Sequence, residues 1–184
     1  MTLLGETTMK WEEIINFWFE EIEPVKHWIK DPEFDQLLRT RFGDVHTAAT
    51  KGELYHWREN PNGRLAEIIV LDQFSRNMFR DKPEAFAYDT IALILAQEAI
   101  AAGADKEVNP EHISFMYMPF MHSESAVIHE EAMKLFTALG SLEFEVKHKA
   151  IIDRFGRYPH RNAILGREST AEEIEFMQGP DSSF

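Results

Sequence analysis

Residues 60–77 read NPNGRLAEIIVLDQFSRN, and this stretch joins a turn signal to an apolar pattern with helical spacing. The turn comes first, because Asn, Pro and Gly cluster at residues 60–63. After it come four aliphatic residues that share one helical face: Leu65, Ile68, Ile69 and Leu71. The spacing therefore predicts a helix after the turn, with the carboxylate of Asp72 on its buried stripe.

The N-terminal segments show the same helical period. Six apolar residues share one face of a helix that Pro24 ends: Trp11, Ile14, Ile15, Trp18, Phe19 and Ile22. Asp31 and Pro32 predict the start of the next helix, with Asp31 as the N-cap and Pro32 in the first turn, where its missing N–H costs little. The N-terminal third is therefore predicted to be helical.

Glycines divide the C-terminal half into further helices. The predicted spans are about 89–102, 125–139 and 143–155, and they end at Gly103, Gly140 and Gly156. Between the first two spans, Asn109-Pro110-Glu111 predicts the start of a short helix that Pro119 must interrupt.

A last helix is predicted from the capping box Ser169-x-x-Glu172, and Gly179-Pro180 ends it. No segment shows a sustained period of two, which a half-buried strand requires. The fold class is therefore all-α, with about seven to nine helices joined by short loops, an arrangement that favours antiparallel neighbours. No internal repeat of about 34 residues stands out.

Length and composition indicate one domain. The chain has 184 residues and is 44% apolar, which is enough to fill one core. We predict a single helical domain over residues 9–179, preceded by a flexible extension at residues 1–8 and followed by a tail at residues 180–184.

Charge and residue usage exclude several classes of function. The formal net charge of −13 argues against nucleic-acid or anionic-membrane partners, because phosphate binding depends on clustered positive charge. The chain has no cysteine, which excludes disulfides, thiolate metal sites and a cysteine nucleophile. No secretory signal or membrane span is recognisable, so we expect a cytoplasmic protein.

Four short stretches place charged and hydrogen-bonding groups beside large apolar residues near helix ends. They are LDQFSRN at 71–77, YMPFMHSE at 117–124, RFGRYPHRN at 154–162 and LGREST at 165–170. Through these motifs the chain resembles an uncharacterised bacterial family, the domain of unknown function 924, from about Trp11 to Gln178. The resemblance implies a helical fold similar to tetratricopeptide-like superhelical arrays and no established activity.

Arginines and other polar residues of these motifs predict a site for a small carboxylate or phosphate. Residues 153–167 carry four arginines against one aspartate, a basic cluster in an acidic chain. A guanidinium presents forked donors that suit such anions. The predicted ligand-binding residues are Arg76, Asn77, Ser123, Arg157, Arg161, Asn162 and Arg167. The alternative is that the arginines pair with carboxylates such as Asp72 or Glu124 and only stabilise the fold.

Two histidines and two carboxylates are the predicted groups for proton transfer: His122, His160, Asp72 and Glu124. A histidine can give or take a proton near neutral pH, and a neighbouring carboxylate fixes its tautomer. Ser123 lies between His122 and Glu124, but consecutive side chains point in different directions and do not form a triad. The alternatives are an N-cap role for Ser123 and a buried, hydrogen-bonded position for His122.

No metal or cofactor is predicted. The two Glu-x-x-His pairs in the chain are as many as chance gives, and His148 lies on an apolar stripe that predicts a core position. The phosphate-loop, dinucleotide and serine-hydrolase signatures are absent. A metal held by His122, Glu124 and His160 is the alternative, which elemental analysis decides.

Two functions fit these residues, and the sequence leaves open whether the protein is an enzyme. The first is a pocket that binds a small anionic ligand, with histidine and carboxylate acid–base chemistry. The second is a tetratricopeptide-like interaction module that binds a peptide or protein partner without catalysis. Convergence of the four motifs on one open cavity favours the pocket. Mutual pairing of their polar groups without a cavity favours the module.

Overall fold

The computed structural model describes residues 9–180 and residue 182, and every regular element in this range is helical. The α-helices are α1 (Trp11–Asn16), α2 (Pro32–Thr50), α3 (Pro61–Ile69), α4 (Ser75–Met78), α5 (Asp89–Ala101), α6 (Ile113–Met121), α7 (Ala126–Leu139), α8 (Leu142–Phe155) and α9 (Ala171–Phe176). The all-α fold class is confirmed. The predicted extension at residues 1–8 lies outside the described residues, as do residues 181, 183 and 184 of the predicted tail.

Shorter turns link these helices. Two of them are π-helical: Phe17–Glu21 continues α1, and Val70–Phe74 joins α3 to α4. Single turns of 3₁₀-helix lie at Pro24–His27, Tyr55–Glu59, Pro83–Ala85, Ala104–Lys106 and Pro159–Arg161.

Helix α3 and the π-helical turn after it form the centre of the protein. Every residue from 65 to 75 is buried, so neighbouring elements enclose this segment on all sides. Helices α1, α5 and α6 pack directly against α3, and α2 packs against the π-helical turn. The helix predicted from residues 60–77 is thus confirmed, and Asp72 is fully buried as expected.

The C-terminal helices pack in chain order beside this centre. Helix α6 packs against α7, and α7 packs against α8. Ile151 and Ile152 of α8 form a small separate core with Tyr158, and Phe155 and Phe176 pack against it. None of the described helices is long and apolar enough to cross a membrane. A tetratricopeptide-like superhelical arrangement of these helices stays a prediction.

The buried face of the first helix differs from the predicted one. Ile14 and Trp18 are buried as predicted, but Phe17 is buried as well, while Phe19 is only partly so. The cause is the π-helical turn, which has more residues per turn than an α-helix and rotates the side chains around the axis. It places the ring of Phe17 4.7 Å from that of Phe42, against α2.

Most predicted helix ends are confirmed by local geometry. The Asp31 side chain accepts hydrogen bonds from the backbone N–H groups of Glu33 and Phe34 at 3.0 and 3.1 Å. Helices α7 and α8 end at Gly140 and Gly156 in the left-handed conformation, with φ angles of 79° and 69°. A residue with a Cβ adopts this conformation only at a cost, which is why glycine closes both helices.

The helix predicted after Asn109 begins later and runs through the proline. The Asn109 side chain accepts a hydrogen bond from the backbone of Glu111 at 3.1 Å, but this turn is followed by α6 only at Ile113. Pro119 lies inside α6 and does not interrupt it. Its missing N–H removes a single helical bond near the end of α6, and burial of all the side chains from 115 to 121 offsets that loss.

Two predicted caps are displaced along the chain. Thr170, not Ser169, caps α9: its hydroxyl accepts from the backbone N–H of Glu173 at 3.2 Å, and the Glu173 carboxylate accepts from the backbone N–H of Thr170 at 2.7 Å. The Ser169 hydroxyl is instead occupied by Asn162, which donates to it at 3.1 Å. The residue at the N-cap of α7 is Ser125, so the cap role considered for Ser123 is wrong.

The two glycines inside helices predict opposite effects for the same substitution. A Cβ at Gly63 in α3 would lie 2.0 Å from the carbonyl oxygen of Trp57, which is backbone and cannot move aside cheaply. We expect Gly63→Ala to lower the free energy of unfolding by about 2 kcal/mol or more. Gly43 in α2 has no atom within 4 Å of such a Cβ, so Gly43→Ala should raise it by about 0.5–1 kcal/mol. Urea denaturation of both variants measures these changes, and a stable Gly63→Ala variant would contradict the packing of α3 on Trp57.

Candidate functional site

Four predicted site residues meet Asp89 in a closed set of contacts that we call the ionic ring: Asp72, Arg76, Asp89, Arg161 and His122. Arg76 Nη1 lies 3.0 Å from Asp72 Oδ1 and donates to Asp89 Oδ1 at 2.9 Å. Arg161 Nη1 donates to Asp89 Oδ2 at 3.2 Å, and its Nη2 donates to the carbonyl oxygen of His122 at 3.1 Å. His122 Nδ1 lies 2.7 Å from Asp72 Oδ1 and closes the ring.

The ends of several helical elements supply these residues. Asp72 lies in the π-helical turn and Arg76 in α4, four residues later, so both side chains share one face. Asp89 is the first residue of α5, and His122 directly follows α6. Arg161 ends the 3₁₀ turn after α8. The ring therefore joins helix ends that are far apart in the sequence.

The ring fixes the protonation state of its histidine. Burial alone would raise the pKa of Asp72, but Arg76 and His122 hold that pKa far below its ordinary value. An ionised carboxylate accepts hydrogen bonds, so Nδ1 of His122 carries the hydrogen. Burial and the charge of Arg76 lower the pKa of His122, although Asp72 acts in the opposite direction. At pH 7 His122 is therefore a neutral imidazole with a lone pair on Nε2.

His122 lines an open cleft, and Asp72 occupies its Nδ1 but not its Nε2. Within the described part of the chain no group hydrogen-bonds to this nitrogen, and the side chain is 16% exposed. The cleft has a volume of about 390 Å³. The polar groups in its lining are Asp89, Thr90, His122, Ser123, Glu124 and Arg161, and the apolar ones are Pro83, Phe86, Ala87, Leu93 and Leu165.

Arg161 is held rigidly at the wall of this cleft. Its guanidinium carbon lies 4.6 Å from the centre of the Phe86 ring and 4.5 Å from the centre of the Tyr158 ring. Such contacts with aromatic faces stabilise a cation. The residue is 6% exposed, so its charge acts in a poorly solvated place.

Glu124 fixes the loop that carries His122. Its carboxylate accepts two hydrogen bonds from Arg167, at 2.7 and 2.9 Å, and one from the backbone N–H of Tyr158 at 2.8 Å. Burial would raise the pKa of Glu124, but these bonds lower it, so the group is ionised at pH 7. Arg167 therefore acts on the cleft through Glu124.

A buried pair, His129 and Glu145, also holds the loop that carries His122. Both residues are fully buried. His129 Nδ1 lies 2.6 Å from Glu145 Oε1, and its Nε2 donates to the carbonyl oxygen of Ser123 at 2.8 Å. The neighbouring Tyr158 hydroxyl donates to the carbonyl oxygen of Met121. The backbone on both sides of His122 is thus fixed by buried side chains.

Five of the predicted ligand-binding residues lie outside the cleft lining: Arg76, Asn77, Arg157, Asn162 and Arg167. Arg76 belongs to the ionic ring, and Arg167 is bound to Glu124. Asn77 donates to the backbone of its own helical segment at 2.9 Å, and Arg157 donates to both carboxylate oxygens of Glu173 at 2.7 and 2.9 Å. Asn162 donates to Ser169 at 3.1 Å. The side chains of Asn77, Arg157 and Asn162 are thus bound to groups of the chain itself.

His160, the second predicted proton-transfer histidine, also lies outside the lining of the cleft. Its ring lies 5.6 Å from that of Tyr158, and its Nδ1 is buried without a hydrogen-bond partner among the described residues. Burial and the charge of Arg161 lower its pKa to about 4. His160 is therefore neutral at pH 7.

Asp89, Phe86 and the His129–Glu145 pair belong to the site but are not predicted from the sequence. Residue 89 is predicted only as the start of a helix, and nothing in the local sequence connects it with the two arginines it binds. Among the described residues there is no group of three or more metal-ligating side chains that could hold a metal ion. The oxygens of Glu124 and the Nδ1 of His122 are occupied by partners of the chain itself.

Comparisons with known proteins give a family and no activity. The family model of a bacterial protein of unknown function (DUF924) matches residues 14–181, which include the whole ionic ring. No curated protein matches the chain. The chain is similar to a solved structure, the protein of unknown function ATU0120 from Agrobacterium tumefaciens, with 40% identity and a TM-score of 0.88. The match covers 92% of this chain and 97% of that one.

Removing the charge of Asp72 should weaken the fold and alter His122. In the Asp72→Asn variant, the partly buried Arg76 keeps only one carboxylate partner, and we expect the free energy of unfolding to fall by about 3 kcal/mol. The pKa of His122 should fall further, because the Asp72 carboxylate raises it. Urea denaturation and NMR titration of the imidazole measure the two effects. Asp153→Asn, which removes an exposed carboxylate, is the control, and an unchanged His122 pKa in Asp72→Asn would show that the ring does not control it.

Glu173 should make stability depend on pH. The hydrogen bonds from Arg157 and from the backbone of Thr170 lower its pKa from 4.5 to about 2. A carboxyl with a depressed pKa stabilises the fold above its unfolded-state pKa, and this contribution is lost as the pH falls from about 4.5 toward 2. Glu173→Gln should lose about 2 kcal/mol at pH 7 and show a weaker acid dependence in urea denaturation. The exposed Glu175→Gln should keep the dependence of the wild type.

Proposed function

The chain belongs to the DUF924 family of bacterial proteins of unknown function, and we propose that it binds a small anionic organic molecule in the cleft and exchanges a proton with it at His122. The observation that carries this proposal is the Asp72–His122 pair. Its carboxylate is fully buried, its histidine lines the cleft, and the Nε2 of the imidazole has no partner in the described chain.

The pair has the features of a general acid–base group. A carboxylate on Nδ1 selects one tautomer and orients the ring, which leaves Nε2 to accept a proton and to return it. Since the pKa of His122 is lowered, the basic form is present at pH 7. The reaction class that fits is proton transfer to and from a bound small molecule, and no nucleophile of the protein is required for it.

Arg161 supplies the anchor for an anion. A guanidinium has five N–H donors, and hydrogen bonds to Asp89 and to the His122 carbonyl use one on each terminal nitrogen. The remaining hydrogens of these nitrogens suit a carboxylate or phosphate oxygen. Arg76 adds a second positive charge close to Arg161, because both arginines donate to Asp89.

The size and lining of the cleft agree with a small organic ligand. A volume of about 390 Å³ lies in the lower part of the range for ligand pockets, which are mostly apolar with a few polar groups. Phe86, Leu93 and Leu165 give this cleft an apolar side.

The alternative, a tetratricopeptide-like interaction module without catalysis, has one observation in its favour. Arg154 and Arg157, two of the motif arginines, pair with Glu172 and Glu173 and join α8 to α9. That pairing gives them a structural role that needs no ligand. No such pairing occupies the Nε2 of His122 within the described chain.

Blocking the cleft should abolish ligand binding and leave the fold intact. Ala87 is exposed and lines the cleft, whereas Glu84, one turn earlier, is exposed and does not. We expect benzoate or inorganic phosphate to shift the NMR signals of the His122 imidazole saturably in the wild type and in Glu84→Trp. In Ala87→Trp the affinity should fall at least about tenfold. If neither probe shifts His122 in the wild type, the proposed function is wrong.

A further inference from the structure

We infer that the cleft selects a monoanionic carboxylic acid with an apolar body, and that each bound molecule brings one proton onto His122. This inference rests on the proposed function and names the ligand class and the charge state of the complex. It follows from the charges around the cleft and from the presence of both polar and apolar residues in its lining.

The ionised groups around the cleft cancel one another while His122 is neutral. In the ionic ring, Arg76 and Arg161 balance Asp72 and Asp89. Outside the ring, Arg167 balances Glu124 through two hydrogen bonds. A bound monoanion would therefore leave one uncompensated negative charge in a poorly solvated cleft, where unpaired charge is costly.

Protonation of His122 removes that excess charge. His122 lines the cleft and its Nε2 has no partner in the described chain, so we place the added proton on Nε2, beside the bound anion. Asp72 on Nδ1 stabilises the imidazolium. A dianion such as the fully ionised form of phosphate would still leave one negative charge after this uptake. The charge balance therefore favours a carboxylate over a phosphate dianion.

The other charged and titratable groups near His122 do not change their protonation when an anion binds. Those on the surrounding elements are Asp72, Arg76, Asp89, Glu124, His148, Tyr158, His160 and Arg161. The carboxylates are paired with arginines and are ionised. Burial lowers the pKa values of His148 and His160 to about 3 and about 4, so both stay neutral near pH 7. His122 is therefore the group whose protonation changes on binding.

The apolar side of the cleft gives the body of the ligand. Pro83, Phe86, Leu93 and Leu165 line it together with the polar groups, and Phe86 also covers the guanidinium of Arg161. Burying carbon on this side stabilises a ring or a short aliphatic chain. Inorganic phosphate or acetate has no group that could fill it.

Linkage gives the sign of the pH dependence. A nearby anion raises the pKa of His122, so between its free and bound pKa values binding takes up one proton. In that window the affinity for a carboxylate falls about tenfold for each rise of one pH unit. Below it His122 is already charged, and above it the imidazole stays neutral, so the affinity levels off at both ends.

The test compares benzoate with inorganic phosphate by calorimetry from about pH 6 to pH 8, in buffers with different heats of ionisation. For benzoate we expect the uptake of about one proton and an affinity at least about tenfold higher than that for phosphate. His122→Gln should bind benzoate more weakly and without proton uptake. The matched control is His56→Gln, which removes an exposed histidine and should behave as the wild type.

The outcomes separate this inference from the proposed function. Proton-linked benzoate binding that is lost only in His122→Gln supports both. Tighter binding of phosphate, benzoate binding without proton uptake, or uptake that persists in His122→Gln would overturn the inference and leave the anion-binding cleft standing. Failure of both probes to bind would overturn both.

Discussion

The constraint on which the site depends is the pairing of two arginines and two aspartates, buried or partly buried, beside one histidine. Asp72 is fully buried and Arg161 is 6% exposed, so each needs a charged partner inside the protein. The partners come from the π-helical turn, α4, α5, the end of α6 and the 3₁₀ turn after α8. All of these elements must be in place before the last charge is paired. The geometry around His122 is therefore coupled to the stability of the whole fold.

Sequence reasoning succeeds here where the cause is local. The N-cap at Asp31, the closing glycines and the burial of Asp72 follow from the residues within one or two helical turns. The contacts of the ionic ring do not, because Arg161 and Asp89 are separated by 72 residues and His122 and Asp72 by 50. The same limit explains Phe17, which packing against α2 buries although it lies off the predicted stripe.

The arginines of the motifs show why a site could be predicted only in part. A forked guanidinium binds a carboxylate of the chain and a carboxylate of a ligand by the same geometry. Arg157 and Arg167 each donate to both oxygens of a carboxylate that they share with no other arginine of the described chain, in Glu173 and Glu124. Arg161 instead shares Asp89 with Arg76, which keeps both oxygens of Asp89 occupied. This sharing determines which arginine keeps N–H donors that no carboxylate of the chain occupies. A sequence pattern cannot reveal the sharing.

His122 is fixed at three points by the chain itself. Asp72 holds its ring, Arg161 holds its carbonyl oxygen, and His129 holds the carbonyl oxygen of the next residue. A group positioned in this way loses little conformational freedom on binding. Its two charged neighbours act on its pKa in opposite directions, since Asp72 raises it and Arg76 lowers it. Burial and Arg76 together outweigh Asp72, so the pKa of His122 lies below its ordinary value. A negative charge added in the cleft would act on this pKa in the same direction as Asp72.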